Sequence, residues 1–251
     1  MHALRSLAVA VTTMLASSAP LMAQSAPSAS DVIAKYVAAI GGKDAVMKIT
    51  SLKQTSTMQL PAMGITAEVE AYQAAPNKMA SKSTIPGIGE MLQGTNGEIA
   101  WDANPMQGPR LLTDKELAQT LEGADFYGNL LYPAERFTKM ENLGLADFNG
   151  ESCYKIQLVR KDSGRESIQY FSVATGLMVG AETTQESQMG SMAISSTMSD
   201  YKSFGGVKFP TKSEMNMGAN KMVMTITNVV INGAPATAFD VPDAVKPLIK
   251  K

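Results

Sequence analysis

Apolar and polar residues alternate over long stretches of the second half of this chain. Between residues 165 and 233, turn residues recur at intervals of roughly ten to twelve, and the runs between them have a period of two. One run alternates Met222, Met224 and Ile226 with Lys221, Thr225 and Thr227. Strands joined by such short turns are antiparallel, because a parallel return requires a crossover of about a dozen residues. The pattern therefore predicts a meander of long strands, and a sheet of such strands curls.

The first half of the chain shows the same pattern in shorter runs. Strands are predicted over residues 52–60, 65–74, 78–85, 91–94, 99–102, 137–148 and 151–160. Asn96-Gly97 and Asn149-Gly150 are typical of two-residue hairpin turns. The segment 85–89 is apolar but built of turn residues, so it is either a loop that lines a mouth or one that folds back onto the core.

Helical spacing interrupts the strand pattern twice. Ser30 is predicted to cap a helix over residues 31–40, and a short helical piece follows over residues 43–49. Later, Thr113 and Glu116 match a capping box, and helical spacing continues to Leu131 with a break near Gly123. Helices inserted into an antiparallel sheet must cover one of its faces, so this second region is predicted to form a lid.

Together these elements predict a mainly β fold with helices, of the α+β class. We expect a single curved antiparallel sheet of about ten or eleven strands, forming an open, unclosed β-barrel with helices on its concave face. The length of 251 residues suits one such domain. The expected organisation is a signal peptide at residues 1–23, a flexible leader at 24–30 and one domain at 31–251.

The first residues are typical of a secretory signal peptide. A basic start precedes an apolar run over residues 7–15 and a small-residue exit, with cleavage predicted after Ala23. The alternative is a membrane anchor, but the apolar run is shorter than the ~20 residues that a span needs. We therefore expect a periplasmic protein of a Gram-negative bacterium. Cys153, the only cysteine, is expected to be a buried free thiol.

The composition excludes several classes of function. The net charge is −1 and no block of Lys or Arg is present, so no nucleic-acid partner is expected. His2 is the only histidine and would leave with the signal peptide, which excludes Ser-His-Asp, Cys-His and histidine-bearing zinc sites. Ser199 and Lys202 have the spacing of some acyl-enzymes, but on a strand they point to opposite faces. We expect no catalytic residues and no enzymatic activity.

Methionine is unusually frequent, with 18 residues, whereas aromatic residues make up only 6% of the chain. Flexible thioether side chains suit varied apolar ligands, and a large curled sheet can enclose one. The alternatives are plain core packing and a Cu(I) site. A Cu(I) site would lack the His or Cys ligands that usually accompany methionine, so no metal or cofactor is expected. The predicted ligand-binding residues of the cavity and its mouth are Met58, Leu60, Ile65, Val69, Met79, Ile85, Ile88, Trp101, Met192, Ile194, Met198, Met215, Met217, Met222, Met224 and Ile226.

Several turns and strand ends resemble a known family. The segments are residues 36–45 (YVAAIGGKDA), 75–78 (APNK), 94–101 (GTNGEIAW), 175–177 (TGL), 200–202 (DYK) and 206–210 (GVKFP). They are similar to the outer membrane lipoprotein-sorting protein family, the periplasmic lipoprotein carriers and their LolA-like relatives. The resemblance implies an incompletely closed antiparallel barrel that carries acyl chains between membranes. In that family an early-strand arginine latches the lid, whereas residues 52–85 offer only Lys53, Lys78 and Lys82.

The favoured hypothesis is a non-enzymatic periplasmic carrier. Its ligand would be a lipid or a lipoprotein acyl chain, with membrane-bound donor and acceptor proteins as further partners, and we expect it to be monomeric. An alternative is a packed scaffold or interaction domain that binds a periplasmic protein partner without a lipid ligand. A third hypothesis, an unrecognised hydrolase, would depend on a clustered carboxylate or serine.

Overall fold

A computed structural model describes residues 26–187 and 190–249. The predicted signal peptide, residues 24–25 of the predicted leader and residues 188–189 of the predicted meander lie outside these ranges. Within them, no helix is both long and apolar enough to span a bilayer.

In the described residues, one antiparallel sheet of thirteen strands contains most of the regular structure. Its spatial order is β6-β5-β4-β3-β2-β1-β13-β12-β11-β10-β9-β8-β7. Consecutive strands pair within β1–β6 and within β7–β13, β1 pairs with β13, and β6 and β7 are the two edge strands. The strands are β1 (Ser51–Leu60), β2 (Ile65–Ala74), β3 (Lys78–Ile85), β4 (Gly89–Thr95), β5 (Ala100–Asn104), β6 (Gly108–Leu111), β7 (Phe137–Phe148), β8 (Glu151–Arg160), β9 (Glu166–Ser172), β10 (Met178–Ser187), β11 (Gly190–Phe204), β12 (Val207–Met217) and β13 (Asn220–Ile231).

Four α-helices and four short 3-10 segments complete the regular structure of the described residues. The helices are α1 (Ala29–Ala39), α2 (Lys43–Met47), α3 (Asp114–Ala124) and α4 (Gly128–Leu131). The 3-10 segments are Pro61–Met63, Ala134–Arg136, Ala236–Phe239 and Lys246–Leu248.

The alternating pattern predicted four of the thirteen strands to the residue. The bounds of β2, β3, β7 and β8 agree with the sequence prediction, and Asn149 and Gly150 form their hairpin with φ of 54° and 84°. The count of ten or eleven was too low. Strand β6 was missed because its four residues, Gly-Pro-Arg-Leu, are too few to show a period and include a residue that cannot donate to the ladder.

Helix α1 begins earlier than predicted. Ser28, rather than Ser30, is its N-cap: the Ser28 hydroxyl accepts from the Asp31 amide at 3.1 Å. The Asp31 carboxylate in turn accepts from the Ser28 amide, which completes a capping box. Residues 29 and 30 therefore belong to the helix and not to a leader.

The sheet curves around α3. This helix contacts β3, β4 and β5 in one half of the sheet and β10 in the other half, although β3 and β10 are separated by five strands. Both halves must therefore bend toward the same helix, and the face that α3 covers is the concave one.

One end of this concave side is closed by a hydrophobic core. Tyr36 of α1 packs edge-to-face on Phe171 and Tyr132, with ring centroids 5.3 and 5.8 Å apart. We call this cluster the aromatic core; its buried members are Ala29, Val32, Ile33, Tyr36, Ile40, Val46, Ile49, Leu52, Phe126, Tyr132, Ile156, Leu158, Phe171, Val207, Phe209 and Val229.

Candidate ligand-binding site

Strand register gathers seven methionines on one face of four adjacent strands. Residues directly opposite in an antiparallel pair have side chains on the same face. Met58 lies opposite Met224, and Met215 lies opposite Met222. Met217 lies opposite Ile194, whose strand also carries two more methionines in phase. We call this set the methionine face: Met58, Met192, Met198, Met215, Met217, Met222 and Met224.

The methionine face is the concave face. Register connects it from strand to strand to the face that carries Asp102 and Arg110. Arg110 bonds to Glu116 of α3, so that face is directed at the helix. On the convex side of the same strands lie polar residues, including Thr225 and Glu214.

The side chains of the methionine face are partly exposed to solvent. Six of its side chains are half-buried, and Met192 is 41% exposed. On the same strand β1, by contrast, Leu52 in the aromatic core is only 2% exposed. The concave side is therefore dry at one end and reachable by solvent at the other.

Other predicted site residues join this face in different ways. Leu60 and Ile65 are opposite each other and half-buried, next to Met58 and Ala67. Ile226, opposite Ser56, continues the face toward the aromatic core. The remaining members on the concave side are the buried Val69, Ile85 and Ile194 and the half-buried Met79.

Two predicted residues lie elsewhere. Ile88 is in the turn between β3 and β4, where its amide bonds to the Ile85 carbonyl. Trp101 pairs with Gly94 and Leu111, which places its side chain on the convex side. The Trp101 ring packs directly on Gly94: a Cβ atom at position 94 would lie only 2.7 Å from the ring. Trp101 is a 2% exposed packing residue that also borders the cavity described next.

A cavity of about 280 Å³ lies between α3 and the sheet. Polar side chains dominate its lining: Gln93, Asp102, Arg110, Glu116, Gln119, Thr120, Gln185 and Glu186. Such groups suit water or a polar part of a ligand better than an acyl chain. The space under the helix and the space over the methionine face thus differ in chemistry.

Arginines hold α3 at both sides of the concavity. On one side, Arg110 of β6 donates to the two carboxylate oxygens of Glu116 at 2.8 and 3.0 Å and to Asp102 at 3.2 Å. This bidentate pair raises the pKa of the Arg110 guanidinium above its ordinary value. On the other side, Arg165 donates through Nε to Glu122 at 2.7 Å, and Glu122 is only 3% exposed.

Further polar contacts continue these attachments. Gln119 accepts from the Glu186 amide of β10 at 2.8 Å. Past the helix end, Asp125 accepts from the Gly128 amide at 3.1 Å and lies 3.2 Å from Arg136. Polar bonds on both sides of the concavity therefore attach helix α3 to the sheet, and such bonds can exchange for water.

The sequence prediction missed the purpose of Glu116. The expected capping box is wrong, because the Thr113 side chain makes no capping bond. The Glu116 carboxylate instead accepts two hydrogen bonds from the Arg110 guanidinium. Arg110 and Arg165 were also missed, because the search for an arginine that holds the lid was confined to residues 52–85. The available signal was Arg110, which lies shortly before the predicted lid.

Burial also raises the pKa values of several side chains in and around the aromatic core. Desolvation raises the pKa of the Tyr132 hydroxyl to about 12 and that of the Tyr36 hydroxyl well above its ordinary value. The Cys153 thiol is fully buried, and burial raises its pKa to about 11, so it is protonated at neutral pH. Among residues 26–187 and 190–249, no three His, Cys, Asp or Glu side chains are grouped to hold a metal.

Comparison with known proteins identifies the fold. No family model and no curated protein matches the sequence. A DUF1329 family protein from Desulfovibrio piger superposes with a TM-score of 0.58 at 12% identity, covering 84% of this chain and 95% of that one. A LolA superfamily protein from Nitrosomonas europaea superposes with a TM-score of 0.57 at 14% identity, covering 86% of this chain and 99% of that one.

A third structure, described as an outer membrane lipoprotein-sorting protein domain from Vibrio parahaemolyticus, has a TM-score of 0.54 at 13% identity. It covers 84% of this chain and 95% of that domain. The chain therefore has a LolA-like fold, an open and curved β-barrel with helices, as the sequence resemblance implied.

Proposed function

We propose that this protein is an exported, non-enzymatic carrier that binds a lipid or a lipoprotein acyl chain on its methionine face. The observation that carries the proposal is the solvent-reachable row of thioethers on the concave side of four neighbouring strands. Burying apolar surface there gains roughly 25 cal/mol per Å² for any chain that slides in. The flexible side chains adapt to different chain shapes.

The fold supports this proposal. One protein of the same fold is described as a lipoprotein-sorting domain, and an open barrel leaves one side from which a long chain can enter. Delivery between membranes would require donor and acceptor proteins in the periplasm, and the predicted signal peptide would bring the carrier there. The protein would act as a monomer.

Helix α3 would act as a cover over the polar end of the ligand. An acyl chain on the methionine face would place its polar end near the Gln- and Glu-lined cavity beneath the helix. Because Glu116 and Glu122 hold α3 through ion pairs, the cover can loosen without breaking the aromatic core.

Two neighbouring residues on β13 provide a matched test. Met224→Glu puts a charge on the methionine face, whereas Thr225→Glu puts the same charge on the exposed convex side. Fluorescent fatty-acid binding by delipidated protein should weaken at least tenfold in Met224→Glu, since an unpaired carboxylate in an apolar site costs on the order of several kcal/mol. Thr225→Glu should bind like the wild type.

Native mass spectrometry of protein from its own periplasm would identify the ligand. A co-purified lipid that Met224→Glu loses would support the carrier. Delipidated protein that binds no fatty acid, phospholipid or acylated peptide would exclude it and leave the scaffold hypothesis.

A further inference from the structure

Six hairpin turns lie in a row along one end of the sheet. In spatial order they join β5–β6, β3–β4, β1–β2, β12–β13, β10–β11 and β8–β9, because alternate turns of a meander fall at the same end. The tip of the β10–β11 turn, residues 188–189, lies outside the described residues. The β8–β9 turn, residues 161–165, contains Lys161, Asp162 and Arg165.

The first four turns contain no charged residue. Their sequences are Pro-Met-Gln (residues 105–107), Pro-Gly-Ile (86–88), Pro-Ala-Met-Gly (61–64) and Gly-Ala (218–219). We call these four turns the uncharged rim. Met106 is 75% exposed and Met63 is 65% exposed, so the rim presents large apolar side chains to solvent on turns that project from the sheet.

Charged residues near the rim form ion pairs with one another. Lys82 pairs with Glu90 at 2.5 Å, next to the β3–β4 turn. Glu214 pairs with Lys221 at 2.5 Å and with Lys212 at 3.1 Å, below the β12–β13 turn. The rim therefore offers neither a basic patch for anionic lipid headgroups nor an acidic one, and its attraction is apolar.

The methionine face runs into the uncharged rim. Met217 immediately precedes the β12–β13 turn and Met222 closely follows it, while Leu60 and Ile65 flank the β1–β2 turn. An apolar path thus extends from the exposed tips onto the concave side. The opposite end of the sheet is blocked by the aromatic core.

We propose that the uncharged rim docks on the surface of a lipid bilayer, with Met63 and Met106 inserted among the headgroups. A lipid chain would then pass from the bilayer onto the methionine face without crossing water. This inference rests on the proposed carrier function for its purpose, but the docking itself is measured separately from ligand binding.

The test uses flotation of the protein with neutral phosphatidylcholine vesicles. Wild-type protein should float with the vesicles equally at low and high salt, because the contact is apolar. Met63→Asp and Met106→Asp should each lower the bound fraction about tenfold, by replacing an inserted apolar side chain with a charge.

Met47→Asp is the matched control. Met47 is 46% exposed on α2, whose neighbour Ala45 lies against the Gly206 turn at the other end of the sheet. This variant should float like the wild type. Thermal melting of all three variants checks the fold, and the exposed turn positions are expected to tolerate the change.

The results separate docking from carriage. Fatty-acid binding without vesicles should be unchanged in Met63→Asp and Met106→Asp, so a rim defect is distinct from a loss of the ligand site. Docking is overturned if wild-type protein does not float, if it floats only with anionic vesicles at low salt, or if the rim variants and Met47→Asp behave alike. Flotation without any fatty-acid binding would retain docking and overturn the carrier function.

Discussion

The two ends of the concave side are built from the same strands but filled in different ways. Strand β1 contributes Leu52 to the aromatic core and Met58 to the methionine face, six residues along the same phase. At the first end, Tyr36 of α1 packs edge to face on Phe171 and on Tyr132, the residue after α4. At the second end the thioethers stay partly exposed. We therefore expect stability to be concentrated at the end that the aromatic core closes.

The largest expected effect tests this division directly. Phe171→Ala removes a fully buried ring that contacts Tyr36 and Tyr132, and we expect a loss of about 3–5 kcal/mol in the free energy of unfolding. Met224→Ala removes a half-buried side chain that is already partly exposed to solvent, and we expect a loss below about 1 kcal/mol. Urea denaturation of both variants measures the difference. Equal losses would show that the methionine face is packed solid.

A second prediction concerns the cover between the two ends. Arg165→Ala leaves the carboxylate of Glu122, which is 3% exposed, without its cation, and we expect about 3 kcal/mol of destabilisation. Amide hydrogen exchange should accelerate in α3 more than in α1. Adding Glu122→Gln should recover part of the stability, because a neutral amide is less costly to bury. Uniform acceleration across both helices would contradict a cover that loosens alone.

The smallest expected effect is on the pH dependence of Tm and concerns Glu214, on the convex side of the methionine-bearing strands. Hydrogen bonds from Lys221 and then Lys212 lower the pKa of Glu214 on the convex side. Since its folded pKa is below its unfolded value, the carboxylate contributes stability that is present above the unfolded pKa and lost as pH falls through the folded one. Glu214→Gln should therefore slightly reduce the drop in Tm between neutral pH and about pH 3. A drop as steep as that of the wild type would show that these exposed ion pairs contribute nothing.

Local pattern accounts for the parts of the fold that were predicted correctly. Period-two alternation gave the bounds of β2, β3, β7 and β8, and Asn149-Gly150 fixed a hairpin by the backbone angles those residues tolerate. The missed features depend on distant partners. Glu116 was predicted to cap the helix because its partner Arg110 cannot be recognised from the sequence pattern. The convex position of Trp101 depends on the pairing of β4 with β5.

The sequence by itself determined a long antiparallel meander with one methionine-rich side, since alternation on a pleated strand is a local property of consecutive residues. Only the tertiary structure decided that methionines from four strands share the concave side, that arginines of β6 and the β8–β9 turn hold α3 across it, and that rings close one end alone. These outcomes depend on strand register and on contacts between residues far apart in the chain, and neither is encoded in any single segment.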